Sequence, residues 1–147
     1  MIAYLDDWLF LTKRVEATRL CDRVLSDCAR AHVAINREKS TAHPVRVITH
    51  LGFEVHLQDD FFAAKQSRWD RLQADIKAIR DRGKSSARQL SAIAGQIVSQ
   101  SLALGHVTRL FTRALYAAVE ARHHWDSLIH LPPDVRDELK FWASSVA

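Results

Sequence analysis

The hydrophobic periodicity changes near residue 64, and this change limits the folds that the chain can adopt. Before it, short apolar runs and one alternating segment indicate β-strands around a single amphipathic helix at residues 15–34. After it, apolar residues recur at three- and four-residue spacing through four successive helical segments. The predicted fold class is therefore α+β, with a mixed N-terminal part followed by a helical C-terminal part. A length of 147 residues suits one domain or a piece of a larger one.

The predicted strands lie in two places. Residues 2–11 contain two β-prone runs on either side of the adjacent acids Asp6 and Asp7, which is the pattern of a tight hairpin. Because adjacent carboxylates repel each other, their place at a strand junction needs a compensating partner. Residues 50–57 alternate apolar and polar side chains and predict one half-buried strand, and residues 61–63 predict a short return strand.

The helical part has recognisable boundaries. The first helix covers about residues 65–82 and ends at Gly83. Residues 86–89 have the spacing of a capping box and open the next helix, which contains Gly95. A glycine inside a helix usually marks the close approach of a neighbour. A third helix and a fourth follow, and two prolines open the last one.

Charge changes at the same place as periodicity. Residues 1–64 hold eight Lys and Arg against nine Asp and Glu, residues 65–122 hold eleven against four, and residues 123–147 hold two against four. The net charge of +4 therefore arises in the middle section. A basic section favours a polyanionic partner, although many solvated helices are basic without binding anything.

Composition excludes several classes of protein. With 48% apolar and 26% charged residues, disorder is excluded as the main state. The apolar stretches are far shorter than the roughly 18 residues of a membrane-spanning helix, and acids stand where a signal peptide is apolar. Cys21 and Cys28 lie on the apolar stripe of the first helix, which favours core packing, and two cysteines cannot make a disulfide framework, which favours a reducing compartment. We expect an intracellular protein of the cytoplasm or nucleus, without a membrane partner.

Three short motifs then identify a family. They are Tyr4-Leu5-Asp6-Asp7, Asn36-Arg37-Glu38-Lys39-Ser40 and Leu51-Gly52-Phe53. In this order the chain resembles reverse transcriptases (RNA-directed DNA polymerases), whose palm carries a Tyr-x-Asp-Asp hairpin, a lysine segment and a Leu-Gly-Phe hairpin as motifs C, D and E. The helix from residue 86 and the sequence Glu138-Leu139-Lys140-Phe141-Trp142 are most similar to retrotransposon enzymes that encode a tyrosine recombinase.

The resemblance covers nearly the whole chain and implies its organisation. Residues 1–64 would be the C-terminal part of the palm, built of β-hairpins and one helix. Residues 65–122 would be the α-helical thumb. Residues 123–147 would start the connection towards a ribonuclease H region.

The resemblance also implies a metal site. Asp6 would be a direct ligand of Mg²⁺ or Mn²⁺ and Asp7 a supporting one, since carboxylate oxygens suit these cations and two cations promote nucleotidyl transfer. Tyr4 would lie near the last primer nucleotide, with Leu5 packed beneath it. The alternative is an acidic hairpin turn without a metal.

The remaining motifs imply contacts with nucleotide and primer. Lys39 would lie near the incoming triphosphate as a general acid, or it is a solvated loop lysine. Leu51, Gly52 and Phe53 would form the primer grip, or an ordinary strand with one glycine. Arg71 and Arg82 could equally face solvent. The cations assigned to phosphates of a primer–template duplex are Lys65, Arg68, Lys77, Arg80, Lys84 and Arg88.

The family's active site needs a further aspartate from motif A, on an earlier strand, for which there is no room before Tyr4. We therefore expect the chain not to polymerise DNA alone, and its hairpin to expose Ile2, Trp8 and Phe10. In a full-length parent the partners would be primer–template nucleic acid, dNTP and upstream palm and fingers segments of the same polyprotein. The alternatives are a non-enzymatic basic helical nucleic-acid-binding module, and a helical interaction protein in which the acids are accidental.

Overall fold

The computed structural model describes residues 1–144 and confirms an α+β fold. The chain divides into two compact units, Met1–Phe61 and a second that begins at Phe62. No helix among residues 1–144 has both the length and the apolar character needed to cross a membrane. The elements that begin in the first unit are β1 (Ile2–Tyr4), β2 (Asp7–Leu9), α1 (Arg14–Arg30), β3 (Val47–His50), β4 (Phe53–His56) and β5 (Phe61–Ala64).

The first hairpin has a different turn from the one predicted. In the antiparallel pair β1–β2, Tyr4 lies opposite Asp7, so the turn consists of Leu5 and Asp6. Asp7 therefore belongs to a strand, whereas the sequence had suggested that one turn presents both acids. Leu5 has a φ of 53°, a left-handed conformation that a two-residue hairpin turn requires at its first position. Ile2 and Trp8 are about half exposed, as expected, while Phe10 is partly covered.

The second β region is a hairpin and not one strand. β3 pairs with β4 so that His50 lies opposite Phe53, and Leu51 and Gly52 form the turn. Both turn residues have positive φ, 50° and 81°, which is type I′ geometry. These angles interrupt the ladder that simple alternation had predicted. Phe53 and Val55 are buried in agreement with the prediction, and β5 forms where the return strand was predicted.

Helix α1 matches its predicted start and ends earlier than predicted. His32 has a φ of 54°, which a helix cannot accommodate, so the chain leaves the helix after Arg30. Cys28 is buried, and the thiol of Cys21 is partly buried and donates to the carbonyl oxygen of Ala42 at 3.2 Å. Both cysteines are free, in keeping with the packing role expected of them.

The second unit is mainly helical. A three-residue strand at Lys84–Ser86 pairs antiparallel with another at Leu128–His130, and the sequence prediction included neither. Residues 128–130 thereby join the same compact unit as residues 62–122. The elements are α2 (Gln66–Arg82), β6 (Lys84–Ser86), α3 (Ala87–Val98), α4 (Ser101–Leu104), α5 (Val107–Leu110), α6 (Arg113–Glu120), β7 (Leu128–His130) and α7 (Pro133–Ser144). Residues 145–147 of the predicted connection lie outside the described part.

One core holds this unit together. The predicted apolar faces of α2, α3 and α7 are its main components, and α6 adds two residues. Gly83 ends α2 in a left-handed conformation with φ 63°, and the capping box at Ser86 and Gln89 opens α3, both as predicted. The core consists of Trp69, Leu72, Ile76, Ile79, Leu90, Ile93, Ala94, Ile97, Leu115, Val119, Leu131, Val135, Leu139 and Trp142.

The predicted third helix is broken between α5 and α6. The buried hydroxyls of Thr108 and Thr112 donate to the carbonyl oxygens of Gly105 and Thr108, at 2.9 and 2.8 Å. Such side-chain bonds to the backbone compete with a regular helix. His123 and His124 lie beyond the end of α6 and belong to no helix.

Helix α7 supplies the polar partners of this break. The two carboxylate oxygens of Glu138 accept the backbone N–H groups of Ala114 (2.9 Å) and Leu115 (3.0 Å), in the first turn of α6. The indole N–H of Trp142 donates to the carbonyl oxygen of Phe111 at 2.6 Å. The ring of Phe141 stacks on that of Phe111, with centroids 4.0 Å apart. The sequence at residues 138–142 therefore has a structural role, which is to hold α7 against the break.

Replacing Gly95 by alanine should stabilise the protein. Gly95 is exposed in α3, and a Cβ there would meet no atom within 4 Å, so no neighbour approaches it closely as the sequence had suggested. Gly95→Ala should raise the free energy of unfolding by about 0.5–1 kcal/mol, measured by urea unfolding followed by circular dichroism. Gly83→Ala is the matched control, because there the space is also free but φ is 63°. It should lower stability by about 1 kcal/mol. Equal effects at both glycines would contradict this explanation.

Removing the Glu138 carboxylate should destabilise the second unit. Glu138→Ala leaves two backbone N–H groups without acceptors, and each partly buried donor left unpaired costs about 1–3 kcal/mol. Glu138→Gln keeps one acceptor oxygen and should lose less. Asp137→Asn is the control, because Asp137 is the exposed neighbour and should change stability by less than about 0.5 kcal/mol. Urea unfolding measures all three variants, and a Glu138→Ala protein as stable as the control would contradict the capping role.

Candidate functional site

The acidic hairpin presents its polar residues to solvent. Tyr4 and Asp7 are directly opposite each other in the β1–β2 pair, so their side chains share one face. Asp6 occupies the second turn position, and both carboxylates are exposed. Leu5 is 83% exposed, so within the first unit it does not pack beneath the hairpin as the resemblance had implied. Its position in a left-handed turn accounts for this exposure.

The donors in this hairpin suit a divalent cation in type and fall short in number. Carboxylate oxygens are the ligands that Mg²⁺ and Mn²⁺ prefer. Among residues 1–144, no group of three or more His, Cys, Asp or Glu side chains is arranged to hold a metal ion. Asp6 and Asp7 would therefore hold such a cation as two members of a larger ligand set.

Lys39 lies in a turn that the sequence reasoning did not anticipate. The side-chain oxygen of Asn36 accepts the backbone N–H groups of Glu38 (3.1 Å) and Lys39 (3.2 Å). This is an Asx turn, and it fixes the backbone from which the exposed Lys39 side chain extends. Asn36 is therefore a positioning residue. The signal that could have identified it was an asparagine followed by polar residues two and three positions later, because an asparagine side chain can bind the backbone of residues that closely follow it.

The Leu-Gly-Phe triplet separates into three different environments. Leu51 is a turn residue and 40% exposed, Gly52 has the positive φ, and Phe53 is 7% exposed in the core of the first unit. Of these three residues, only Leu51 and Gly52 in the turn can therefore reach a ligand, and the buried Phe53 anchors the turn. On the neighbouring strands the ring of His56 stacks on Phe61 with centroids 4.3 Å apart.

The cations of α2 lie along both edges of its exposed face. Helix geometry places Arg68, Arg71 and Arg82 on one edge, and Lys77 and Arg80 on the other. Lys77 and Arg80 line a groove of about 580 Å³ between α2 and α7. These two predicted nucleic-acid contacts are thus close together, with one acid, Asp81, in the same lining.

Two predicted cations, Lys65 and Lys84, lie just outside α2 and away from the groove. Lys65 is exposed at the N-terminal end of α2, and Lys84 is exposed on β6, opposite His130. Neither faces the groove between α2 and α7. Both leave their ammonium groups available to solvent, as the assignment to phosphate requires.

Arg88 has an internal partner. Its guanidinium donates to both carboxylate oxygens of Asp126, at 2.7 and 3.2 Å, and its backbone N–H donates to the carbonyl oxygen of Trp125. This hydrogen-bonded pair raises the pKa of Arg88 and lowers the pKa of Asp126. Arg122 lies 3.9 Å from the ring centre of Trp125 and fixes the same loop. Arg88 therefore holds residues 125–126 at the start of α3, which weakens its assignment to phosphate.

The predicted site residues are divided between the two units. Tyr4, Asp6, Asp7, Lys39 and the Leu51–Gly52 turn belong to the first unit, and the basic residues from Lys65 onward belong to the second. No family model, no curated protein and no solved structure matches the chain.

Proposed function

We propose that the chain is the C-terminal palm and thumb portion of a reverse transcriptase. The parent element would be a retrotransposon of the kind that also encodes a tyrosine recombinase. What supports the proposal is the order of three local geometries along the chain. A two-residue acidic hairpin comes first, an Asx turn carrying Lys39 comes second, and a type I′ turn at Leu51 and Gly52 comes third. Motifs C, D and E, to which these three segments are matched by resemblance, follow one another in the same order.

In this proposal the acidic hairpin contributes to the chemistry of DNA synthesis. Asp6 and Asp7 would hold Mg²⁺ or Mn²⁺, and the bound cations would neutralise charge on the attacking and leaving oxygens. Tyr4, which shares a face with Asp7, is 59% exposed and would lie against the primer end. Lys39 would donate a proton to the leaving pyrophosphate, and the turn at Asn36 would keep its backbone in place.

The basic residues of α2 would bind the primer–template duplex. Phosphate contacts by exposed Lys and Arg fix position without reading sequence. Lys77 and Arg80 are the best placed of the predicted cations, because they line one groove. The type I′ turn at Leu51 would touch the primer backbone, where the missing side chain of Gly52 permits close approach.

A second candidate is a nucleic-acid-binding module without catalysis. The observation that favours it is the independent core of the second unit, which carries the basic helix α2 on its surface. In this alternative the acidic hairpin binds no metal, while α2 still binds duplex. Metal binding at the acidic hairpin therefore distinguishes the two candidates.

The acidic hairpin should bind Mn²⁺ in preference to another acidic turn of the same unit. We expect the amide NMR signals of residues 5–8 to broaden at lower Mn²⁺ concentration than those of residues 58–61. Replacing Asp6 and Asp7 together by asparagine should weaken this site roughly tenfold or more, because it removes both charged ligands.

The control uses the chain's other pair of adjacent acids. Asp59→Asn combined with Asp60→Asn removes the same charge from an exposed turn and should leave the broadening of residues 5–8 unchanged. Equal broadening at both turns would show an ordinary acidic hairpin, and the catalytic proposal would then lose its physical basis.

Duplex binding should depend on salt through the α2 cations. Each phosphate neutralised contributes about 0.9 to the steepness with which log K falls against log salt. Lys77→Gln with Arg80→Gln should therefore reduce this steepness by roughly the contribution of two phosphates. Fluorescence anisotropy with a labelled primer–template duplex measures it. Arg14→Gln with Arg19→Gln removes the same charge from exposed positions of α1 and is the control. A wild-type protein whose log K falls less steeply than the contribution of about one phosphate would exclude the proposed thumb function.

A further inference from the structure

The second unit contains a long stretch without acids. Residues 82–119 contain no Asp or Glu, while Arg109 and Arg113 lie near its end together with His106. These three side chains are exposed. No carboxylate of the same stretch balances these side chains, and Glu138 of α7, which lies at the start of α6, has both oxygens bound to the backbone N–H groups of Ala114 and Leu115.

The same side chains border a shallow apolar depression that is largely open to solvent. Its volume is about 510 Å³, and its lining consists of His106, Val107, Arg109, Leu110 and Arg113. Val107 packs against the core from below, and Leu110 is 58% exposed. We refer to these five residues as the 106–113 surface. It combines an aliphatic floor with a cationic rim.

The shape of this surface is fixed by the break between α5 and α6. The buried hydroxyl of Thr108 bonds back to the carbonyl of Gly105, and Thr112 bonds back to that of Thr108. The indole of Trp142 binds the carbonyl of Phe111, next to Leu110. Because these bonds hold the backbone on both sides of Leu110, little ordering is needed when a partner binds.

We propose that the 106–113 surface binds an acidic amphipathic peptide segment of another protein. Aliphatic side chains of that segment would cover Leu110 and Val107, and its Asp or Glu side chains would meet Arg109 and Arg113. The support for this occupant is complementarity of charge and polarity, since Arg109 and Arg113 flank the aliphatic side chains of Val107 and Leu110. A nucleic acid would use the cations but not the aliphatic floor, and the lining has no Phe, Tyr or Trp ring on which a base could stack. The proposal does not rest on a polymerase function.

A designed peptide tests the proposal on the whole chain. The probe is a fluorescent peptide of about 16 residues, long enough for four helical turns, with leucines at three- and four-residue spacing and Asp or Glu elsewhere. We expect anisotropy to show saturable binding. In the NMR spectrum of the unmodified protein, the shifted amide signals should cluster at residues 106–113.

Substitutions in the 106–113 surface test whether the peptide binds there. Arg109→Glu with Arg113→Glu should weaken the peptide's affinity about tenfold or more, and Leu110→Ser about fivefold. All three side chains are exposed, so the variants should keep the circular dichroism spectrum of the parent. Arg14→Glu with Arg19→Glu, the same charge reversal on α1, should leave the affinity unchanged.

Two further probes decide between partners. A peptide with every leucine replaced by serine keeps the charge and should bind at least about fivefold more weakly. Equal binding of the serine peptide would overturn the proposal, since it would show charge attraction alone. If Leu110→Ser instead weakened the binding of a DNA duplex as much as that of the leucine peptide, the surface would belong to nucleic acid and the proposal would also fall.

Discussion

The second unit depends on one carboxylate that completes the start of a helix. The first backbone N–H groups of any helix lack partners within it, and Glu138 of α7 accepts two of those of α6. The carboxylate also places negative charge at the positive end of the α6 dipole. One turn further along α7, Trp142 satisfies the carbonyl at the opposite side of the break. Two residues of one helix thus fix where α5 ends and α6 begins.

The same break lies beside an apolar surface that remains exposed in a well-packed unit. Leu110, the last residue of α5, is 58% exposed, whereas Leu115 in α6 is fully buried. The hydrogen bonds from α7 reach the backbone between these two leucines, at Phe111 and Ala114, and at Leu115 itself. The structural role of α7 and the proposed recognition role of the 106–113 surface therefore concern the same short segment.

The sequence predicted what depends on neighbouring residues and missed what depends on distant ones. Helices α2, α3 and α7 were predicted because each carries its own apolar periodicity and a local boundary signal: Gly83 after α2, the capping box at the start of α3 and two prolines at the start of α7. The β6–β7 ladder pairs Lys84 with His130, and the break before α6 needs Glu138, so neither has a local signal. At the candidate site the residue types were visible, but the partner of Arg88 lies 38 positions away. Turn registers, such as the one that moves Asp7 into a strand, depend on which residue accepts a positive φ.

Backbone strain distinguishes the two hairpins from other turns. Within residues 1–144 four non-glycine residues have positive φ, namely Leu5, His32, Leu51 and Asp60. Histidine and aspartate adopt this conformation comparatively often, whereas leucine does so at a cost of about 1–2 kcal/mol. Glycine would remove the strain at either leucine, so leucine at these turns is not explained by folding of the hairpin alone. Strained residues persist only where the surrounding structure holds them, and they cluster at functional sites. Both leucines lie in the motifs proposed to meet the primer, Leu5 beside the acidic pair and Leu51 beside Gly52, so the strained positions coincide with the turns to which the proposed function assigns ligand contacts.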